Sequence, residues 1–151
     1  MHDDHTWLLK AIELSRRCPP TQRAYCVGAI LVSAQGAQLS DGYSRENDPL
    51  VHAEESALAK AAATGVDPTG ATMYTSLEPC SARKSRPRSC TELIIAAGIH
   101  RVVFALHEPP LFAECHGVEL LQEAGLEVVE LQDLGRLVEE INHEVLRAHL
   151  K

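Results

Sequence analysis

Residues 71–106 read ATMYTSLEPC SARKSRPRSC TELIIAAGIH RVVFAL, and this stretch decides the fold. Ala71 to Leu77 is an apolar, β-branched run and predicts a strand. Cys90 to Ala97 predicts a helix, ended by Gly98, and Val102 to Leu106 predicts a second strand. Strand, helix and strand in direct succession form a crossover unit whose two strands run parallel. Parallel strands carry helices on both faces, and ligands in such sheets bind beyond the carboxyl ends of the strands. The segments that follow 71–77 and 102–106 are therefore where chemistry is to be sought.

The pattern extends in both directions. Residues 6–17 set Leu8, Ala11, Ile12 and Ser15 on one face of a helix that Pro19 and Pro20 stop. Cys26 to Val32 reads as a buried strand, and Gln35-Gly36 turns the chain into another at 38–43. Asp48-Pro49 opens an alanine-rich helix over 51–64, with Asp48 as its N-terminal cap; Gly65 and Pro68 close it. Further on come a helix at 115–124 ended by Gly125 and a last strand at 126–131. The final helix carries Leu134, Leu137, Val138, Ile141 and Val145 on one stripe. The order αββαβαβαβα predicts an α/β fold: a three-layer α/β/α sandwich around a mixed five-stranded sheet, one domain over residues 1–151.

Composition narrows the functional classes. Apolar residues make up 45 % of the chain and aromatic residues 4 %, so the core must be aliphatic. The apolar runs fall far short of the roughly 18 residues of a membrane span. The opening MHDDHTW is acidic and polar, unlike a signal or transit peptide, which points to the cytoplasm. Net charge is −7, which argues against a polynucleotide partner and for a small-molecule substrate. The charge is uneven, because Arg83, Lys84, Arg86 and Arg88 stand between Cys80 and Cys90 with no acid among them. Five cysteines, at 18, 26, 80, 90 and 115, are an odd number, and in a reducing compartment metal binding or burial is favoured over disulfides.

The residues that carry chemistry lie at strand–helix junctions. His52-Ala53-Glu54 begins one helix, Pro79-Cys80 follows a strand, and Cys90 starts the next helix. One imidazole and two thiolates suit zinc and leave a fourth position open for water, which zinc acidifies to a pKa near ~7. Helix N-termini favour thiolate over thiol. Glu54 fits a proton shuttle, since hydrolysis by such a water needs a carboxyl to take its proton and pass it on. Glu55, three residues after His52, is the competing carboxylate that helical spacing leaves open. A lone His-Ala-Glu or Pro-Cys means little, and cysteines nine residues apart in between are looser than the usual zinc pair. The combination in this order carries the reading. Lesser candidates are Arg45 and Asn47, just ahead of the metal helix, and His107 and Glu108, beyond a strand's carboxyl end; all four are placed to touch substrate. Cys115 reads as a buried helix cysteine rather than as half of a metal pair with His116. Cys26 reads as strand core, and Cys18 as an exposed helix end.

These residues resemble the zinc-deaminase signature H-x-E…P-C-x-x-C, in which the glutamate is the acid/base and not a ligand. His52 and Glu54 match its first half. In the second half SARKSRPRSC replaces the short x-x-C, which resembles the deaminase domain of the riboflavin-biosynthesis enzymes within the cytidine-deaminase superfamily. Leu77-Glu78-Pro79-Cys80-Ser81, Val27-Gly28-Ala29-Ile30, Leu93 to Ile99 and Glu123 to Val128 are similar to that family's segments, so the resemblance covers roughly residues 6–148. It implies a cytidine-deaminase-like fold, a bound Zn2+ held by His52, Cys80 and Cys90, Glu54 as catalytic residue, and a homodimer or higher homo-oligomer. Two substrate-facing segments differ. Ala24-Tyr25-Cys26 replaces an Asn-Pro whose Asn contacts substrate, and Glu108-Pro109-Pro110-Leu111 replaces Asp-Pro-Asn-Pro. The substrate stays open among aminopyrimidine nucleosides, nucleotides and related heterocycles. The four basic residues after Cys80 point to a phosphate or another anion on it. Asp48 to Glu54 also resembles the start of the tRNA adenosine deaminase motif, so base deamination in RNA is an alternative; a zinc-stabilised scaffold without activity is another, against which Glu54 argues.

Overall fold

The computed structural model describes residues 3–19, 21–82, 88–111 and 114–149. A five-stranded sheet is built from β1 (Gly28–Val32), β2 (Gln38–Tyr43), β3 (Thr72–Leu77), β4 (Arg101–Leu106) and β5 (Glu127–Glu130), in the order β2-β1-β3-β4-β5. β1 is antiparallel to both neighbours, and β3, β4 and β5 are parallel, so the sheet is mixed, as the element order predicts. The register Leu77↔Leu106 brings the carboxyl ends of β3 and β4 side by side.

Helices cover both faces because the central strands are apolar on both sides. On one face α1 (Asp4–Leu14) and the C-terminal α5 (Gly135–Ile141) and α6 (His143–His149) pack Leu8, Ile12, Val138 and Val145 against Ile30, Val32, Tyr74 and Val103. On the other, α2 (Ala53–Ala63), α3 (Cys90–Ala96) and α4 (Gly117–Glu123) pack Ala53, Ala57, Ala61, Ile94 and Leu121 against Ala29, Leu31, Met73 and Val102. The alanines of α2 are there for closeness. A Cβ on Gly42 of β2 would stand 2.4 Å from the Ala53 carbonyl oxygen and 2.7 Å from Ala57 N, so helix and strand touch backbone to backbone. No helix of the described residues is long and apolar enough to cross a membrane.

Local features differ from the sequence-based expectations in four places. The cap of α2 is His52, not Asp48; the Asp48 carboxylate instead accepts from Leu50 N at 2.8 Å, turning the chain four residues earlier. The last amphipathic stretch is a 3-10 turn at Gln132–Leu134 followed by two helices broken at Asn142. The buried Asn142 amide accepts from Cys26 N at 2.6 Å and donates to Cys26 O at 3.1 Å, tying the break to a segment 116 residues away. β1 begins at Gly28, so Cys26 lies ahead of the strand rather than in it. Cys18, expected at an exposed helix end, is only 3 % exposed, because the 3-10 turn Ser15–Arg17 folds it inward beside Cys26.

Candidate metal centre and active site

Three elements end at one point. β3 runs out into Glu78-Pro79-Cys80, α2 is capped by His52, and α3 starts at Cys90. The nine residues between the two cysteines do not hold them apart. The Cys80 carbonyl accepts both the Thr91 N–H (3.1 Å) and the Thr91 hydroxyl (2.7 Å), which fastens the end of β3 to the first turn of α3. Ser89 caps that helix by accepting from Glu92 N at 3.2 Å. The intervening loop thus leaves from and returns to one place, and a longer spacing gives the same cysteine pair as a short one.

His52 Nδ1 lies 3.3 Å from Cys90 Sγ and 3.6 Å from Cys80 Sγ, and the three donor atoms all lie within 4.8 Å of one another. A tetrahedral zinc with metal–sulfur bonds of about 2.3 Å and metal–nitrogen bonds of about 2.0–2.1 Å needs donors roughly 3.5 Å apart. The trio fits that cation. It is the one group of three or more potential ligands among the described residues. Cys115 stands apart, donating its thiol proton to the Pro79 carbonyl at 3.3 Å, with burial pushing its pKa up. His116 faces Glu114 and Glu119 at the surface.

The electrostatics prepare a thiolate. The Cys90 side chain, then His52 and the Cys90 backbone N–H at 3.2 Å, hold Cys80 in its charged form and pull its pKa down to about 4 in spite of burial. Helix N-termini add partial positive charge in the same direction. Glu54, the second residue of α2, is 4 % exposed, and its Oε2 accepts from the Thr75 hydroxyl of β3 at 3.0 Å. Burial raises its pKa, and the negative charge of Cys80 adds to the rise. Glu55 takes another course: its Oε1 accepts from the His52 backbone N–H at 3.2 Å and closes the helix cap. Two adjacent carboxylates that helical spacing left equivalent are thereby separated, one facing the trio and one locking the helix start.

The lesser candidates divide. Half-buried Glu108 has its pKa pushed up to about 7, chiefly by burial and further by the charges of Cys80, Glu54 and Glu78, so it shares the electrostatics of the trio. His107 turns to Glu78 (3.1 Å) and Glu130 (3.3 Å). Asn47 is exposed on the turn before Val51. Arg45 directs its guanidinium to Cys18, Cys26 and the carbonyls of Pro19 and Tyr25. Arg88 is exposed beside the cap of α3, while Arg83, Lys84 and Arg86 lie outside the described residues.

Two residues that matter were not singled out from sequence. Glu78, 5 % exposed, accepts from Glu108 N (3.2 Å) and Val118 N (3.0 Å), tying the turn after β4 and the first turn of α4 to the end of β3. Its place before Pro-Cys at a strand's end was the available signal. Tyr25 donates its hydroxyl to the Pro109 carbonyl at 2.8 Å, so the segment ahead of β1 and the turn after β4 touch each other. A contact across 84 residues leaves no mark in a single sequence.

Comparison with known proteins places this geometry. The family model for the cytidine and deoxycytidylate deaminase zinc-binding region matches residues 1–106. A diaminohydroxyphosphoribosylamino-pyrimidine deaminase of Schizosaccharomyces pombe is 42 % identical over 133 residues, covering 85 % of this chain and 32 % of its own length. The chain spans about a third of the length of the curated relatives it matches. Among solved structures, the diaminohydroxyphosphoribosylaminopyrimidine deaminase/5-amino-6-(5-phosphoribosylamino)uracil reductase of Thermotoga maritima superimposes with a TM-score of 0.85 at 31 % identity, over 98 % of this chain and 42 % of that one. The Rib2 deaminase of Aspergillus oryzae in complex with DARIPP gives 0.81 at 26 % identity over 97 % of both chains.

Proposed function

This chain belongs to the cytidine and deoxycytidylate deaminase family, and from that premise we propose that it hydrolytically deaminates a diaminohydroxyphosphoribosylaminopyrimidine, exchanging an exocyclic amino group for oxygen and releasing ammonia. The observation that carries the reading is the convergence of His52, Cys80, Cys90 and buried Glu54 beyond the carboxyl end of β3. The likeness to the S. pombe deaminase supports this choice of substrate.

His52, Cys80 and Cys90 would hold zinc, which when bound supplies a Lewis acid that acidifies water to a pKa near ~7. The chain's own residues do the rest. Glu54 takes a proton from the attacking water and returns it to the departing nitrogen, so that the carbon–nitrogen bond breaks to an amine rather than an amide anion. The Thr75 hydroxyl, 3.0 Å from Oε2, fixes the carboxylate's orientation, and burial keeps bulk water from intercepting the proton. Glu55 stays on the His52 backbone and holds the ligand-bearing cap in place. Glu108, which shares the electrostatics of the trio, is assigned to accept from the ring's amino groups. The basic residues Arg83, Lys84, Arg86 and Arg88 are assigned to the phosphate, whose oxygens a guanidinium fork suits.

Ammonia release tests the reading. Zinc-loaded protein is given the phosphoribosylaminopyrimidine, its dephosphorylated counterpart, cytidine, deoxycytidylate and a structured RNA. The highest kcat/KM is expected on the phosphorylated pyrimidine. Removing a charge-assisted contact costs about 1.5–3 kcal/mol, so the dephosphorylated compound should react roughly tenfold to a hundredfold less efficiently. Turnover confined to cytidine, deoxycytidylate or RNA would overturn the assignment.

A further inference from the structure

Away from the metal centre, the fold brings a second pair of cysteines together. Cys18 leaves the 3-10 turn at Ser15–Arg17, and Cys26 precedes β1, yet their sulfurs lie 2.6 Å apart, 3 % and 4 % exposed. Both are held in place. Cys18 N donates to Ser15 O at 3.1 Å, and the Asn142 side chain grips both the N–H and the carbonyl of Cys26. Over the two sulfurs sits the guanidinium of Arg45, with Nη2 2.6 Å from Cys18 Sγ and 3.4 Å from Cys26 Sγ. It also donates to the carbonyls of Pro19 (3.1 Å) and Tyr25 (3.3 Å). Arg45 reaches this position from a backbone φ of 59°, a left-handed conformation that a non-glycine residue keeps only when its surroundings hold it there.

Two sulfurs under a fixed cation are unsuited to a metal, because a guanidinium repels a second cation and no third ligand joins them among the described residues. They are suited to holding one negative charge. The shared proton and Arg45 lower the pKa of Cys26 to about 7, while the same hydrogen bond and burial keep the proton on Cys18. The arrangement is a thiolate with a resolving thiol in direct contact.

We infer that Cys18 and Cys26 are a peroxide-oxidisable pair that closes to a reversible intramolecular disulfide and so releases Arg45 at the head of the segment leading to His52. The thiolate sulfur attacks hydrogen peroxide; the oxygen–oxygen bond breaks, hydroxide leaves and a sulfenic acid forms. The second thiol then attacks the sulfenic sulfur. A sulfur–sulfur bond forms, the sulfur–oxygen bond breaks, and the thiol proton departs with the oxygen as water. Two thiols lose two electrons and peroxide becomes two waters. The disulfide carries no charge, so Arg45 loses the anion that it covers. Arg45 N donates to Val51 O at 2.9 Å, and Val51 adjoins His52, so the change is delivered next to the metal centre. A thiol reductant reverses it.

The test is peptide mapping of the zinc-loaded wild-type protein. After a small molar excess of hydrogen peroxide, free thiols are alkylated under denaturing conditions and the chain is cut with trypsin. Cleavage after Arg17, Arg23 and Arg45 puts the two cysteines on separate peptides. The expected product is residues 18–23 joined to 24–45, two hydrogens lighter than the sum and parted again by a reductant. Arg45→Gln should slow its formation about fivefold at pH 7, the effect of a one-unit rise in a thiol pKa near 7. Full alkylation of both cysteines, linkage through Cys80, Cys90 or Cys115 at the same dose, or oxidation of Cys26 beyond sulfenic acid without linkage would overturn the inference.

Discussion

The two ends of the parallel strands carry polar clusters of similar size and opposite character. At the amino ends of β4 and β5, Arg101 is fully answered: its guanidinium donates to both carboxylate oxygens of Asp4 (2.9 and 2.6 Å) and to Glu127, and the Tyr74 hydroxyl donates to Asp4 at 2.6 Å. Each charge there has a partner of opposite sign, and the cluster ties α1 to the sheet. At the carboxyl ends, Cys80, Glu54, Glu78 and Glu108 bring like charges together, and burial or mutual repulsion raises Glu54 and Glu108. A cluster that satisfies itself fastens the fold. One that gathers negative charge around an imidazole and two thiols is suited to a cation. The same sheet thus fastens the fold at one end and gathers the candidate site at the other.

The largest effects should separate the two ends. Cys90→Ser should lose bound metal and all turnover, whereas Cys115→Ser should keep both; metal analysis with ammonia release decides, and the reverse pattern would contradict the ligand assignment. Glu54→Gln should keep zinc and the melting curve while losing about 10²–10⁴-fold in turnover. Glu55→Gln should keep most activity and lose only cap stability, on the order of 0.5–1 kcal/mol. At the other end, Asp4→Ala should cost on the order of 1–2 kcal/mol in denaturant unfolding, the value of charge-assisted bonds discounted for partial exposure, with turnover per folded molecule unchanged. Asp4 is held below its usual 3.8 by hydrogen bonds from Arg101, so its contribution is complete above that pH and is lost as pH falls through the lower folded-state value. Asp4→Ala should therefore flatten the acid side of the stability profile, and a profile identical to wild type would remove Asp4 from the fastening cluster. A comparably small effect is expected from Tyr25→Phe, which loses one hydrogen bond to Pro109 worth about 0.5–1.5 kcal/mol. It should loosen the Glu108 turn, visible as a raised KM with little change in kcat.

How much of this was legible beforehand follows from how local each cause is. The sheet was readable because its strands are apolar runs and its helices are bounded by proline and glycine. The meeting of His52, Cys80 and Cys90 was readable because these residues sit at strand–helix junctions. What escaped was set by contacts between distant segments. The last amphipathic stripe reads as one helix because α5 and α6 bury the same face, and only Asn142's bonds to Cys26 show why it breaks. Arg45 precedes the metal helix in sequence but turns its guanidinium to a cysteine pair that packing alone assembles. The choice between Glu54 and Glu55 needed the cap geometry, since spacing along a helix treats both alike.

The account rests on a metal held by one imidazole and two thiolates, and X-ray absorption at the zinc edge of the zinc-loaded wild-type protein reads that directly. It predicts two sulfur neighbours at about 2.3 Å and lighter neighbours at about 2.0–2.1 Å. A shell with one sulfur, with three, or with none would contradict it.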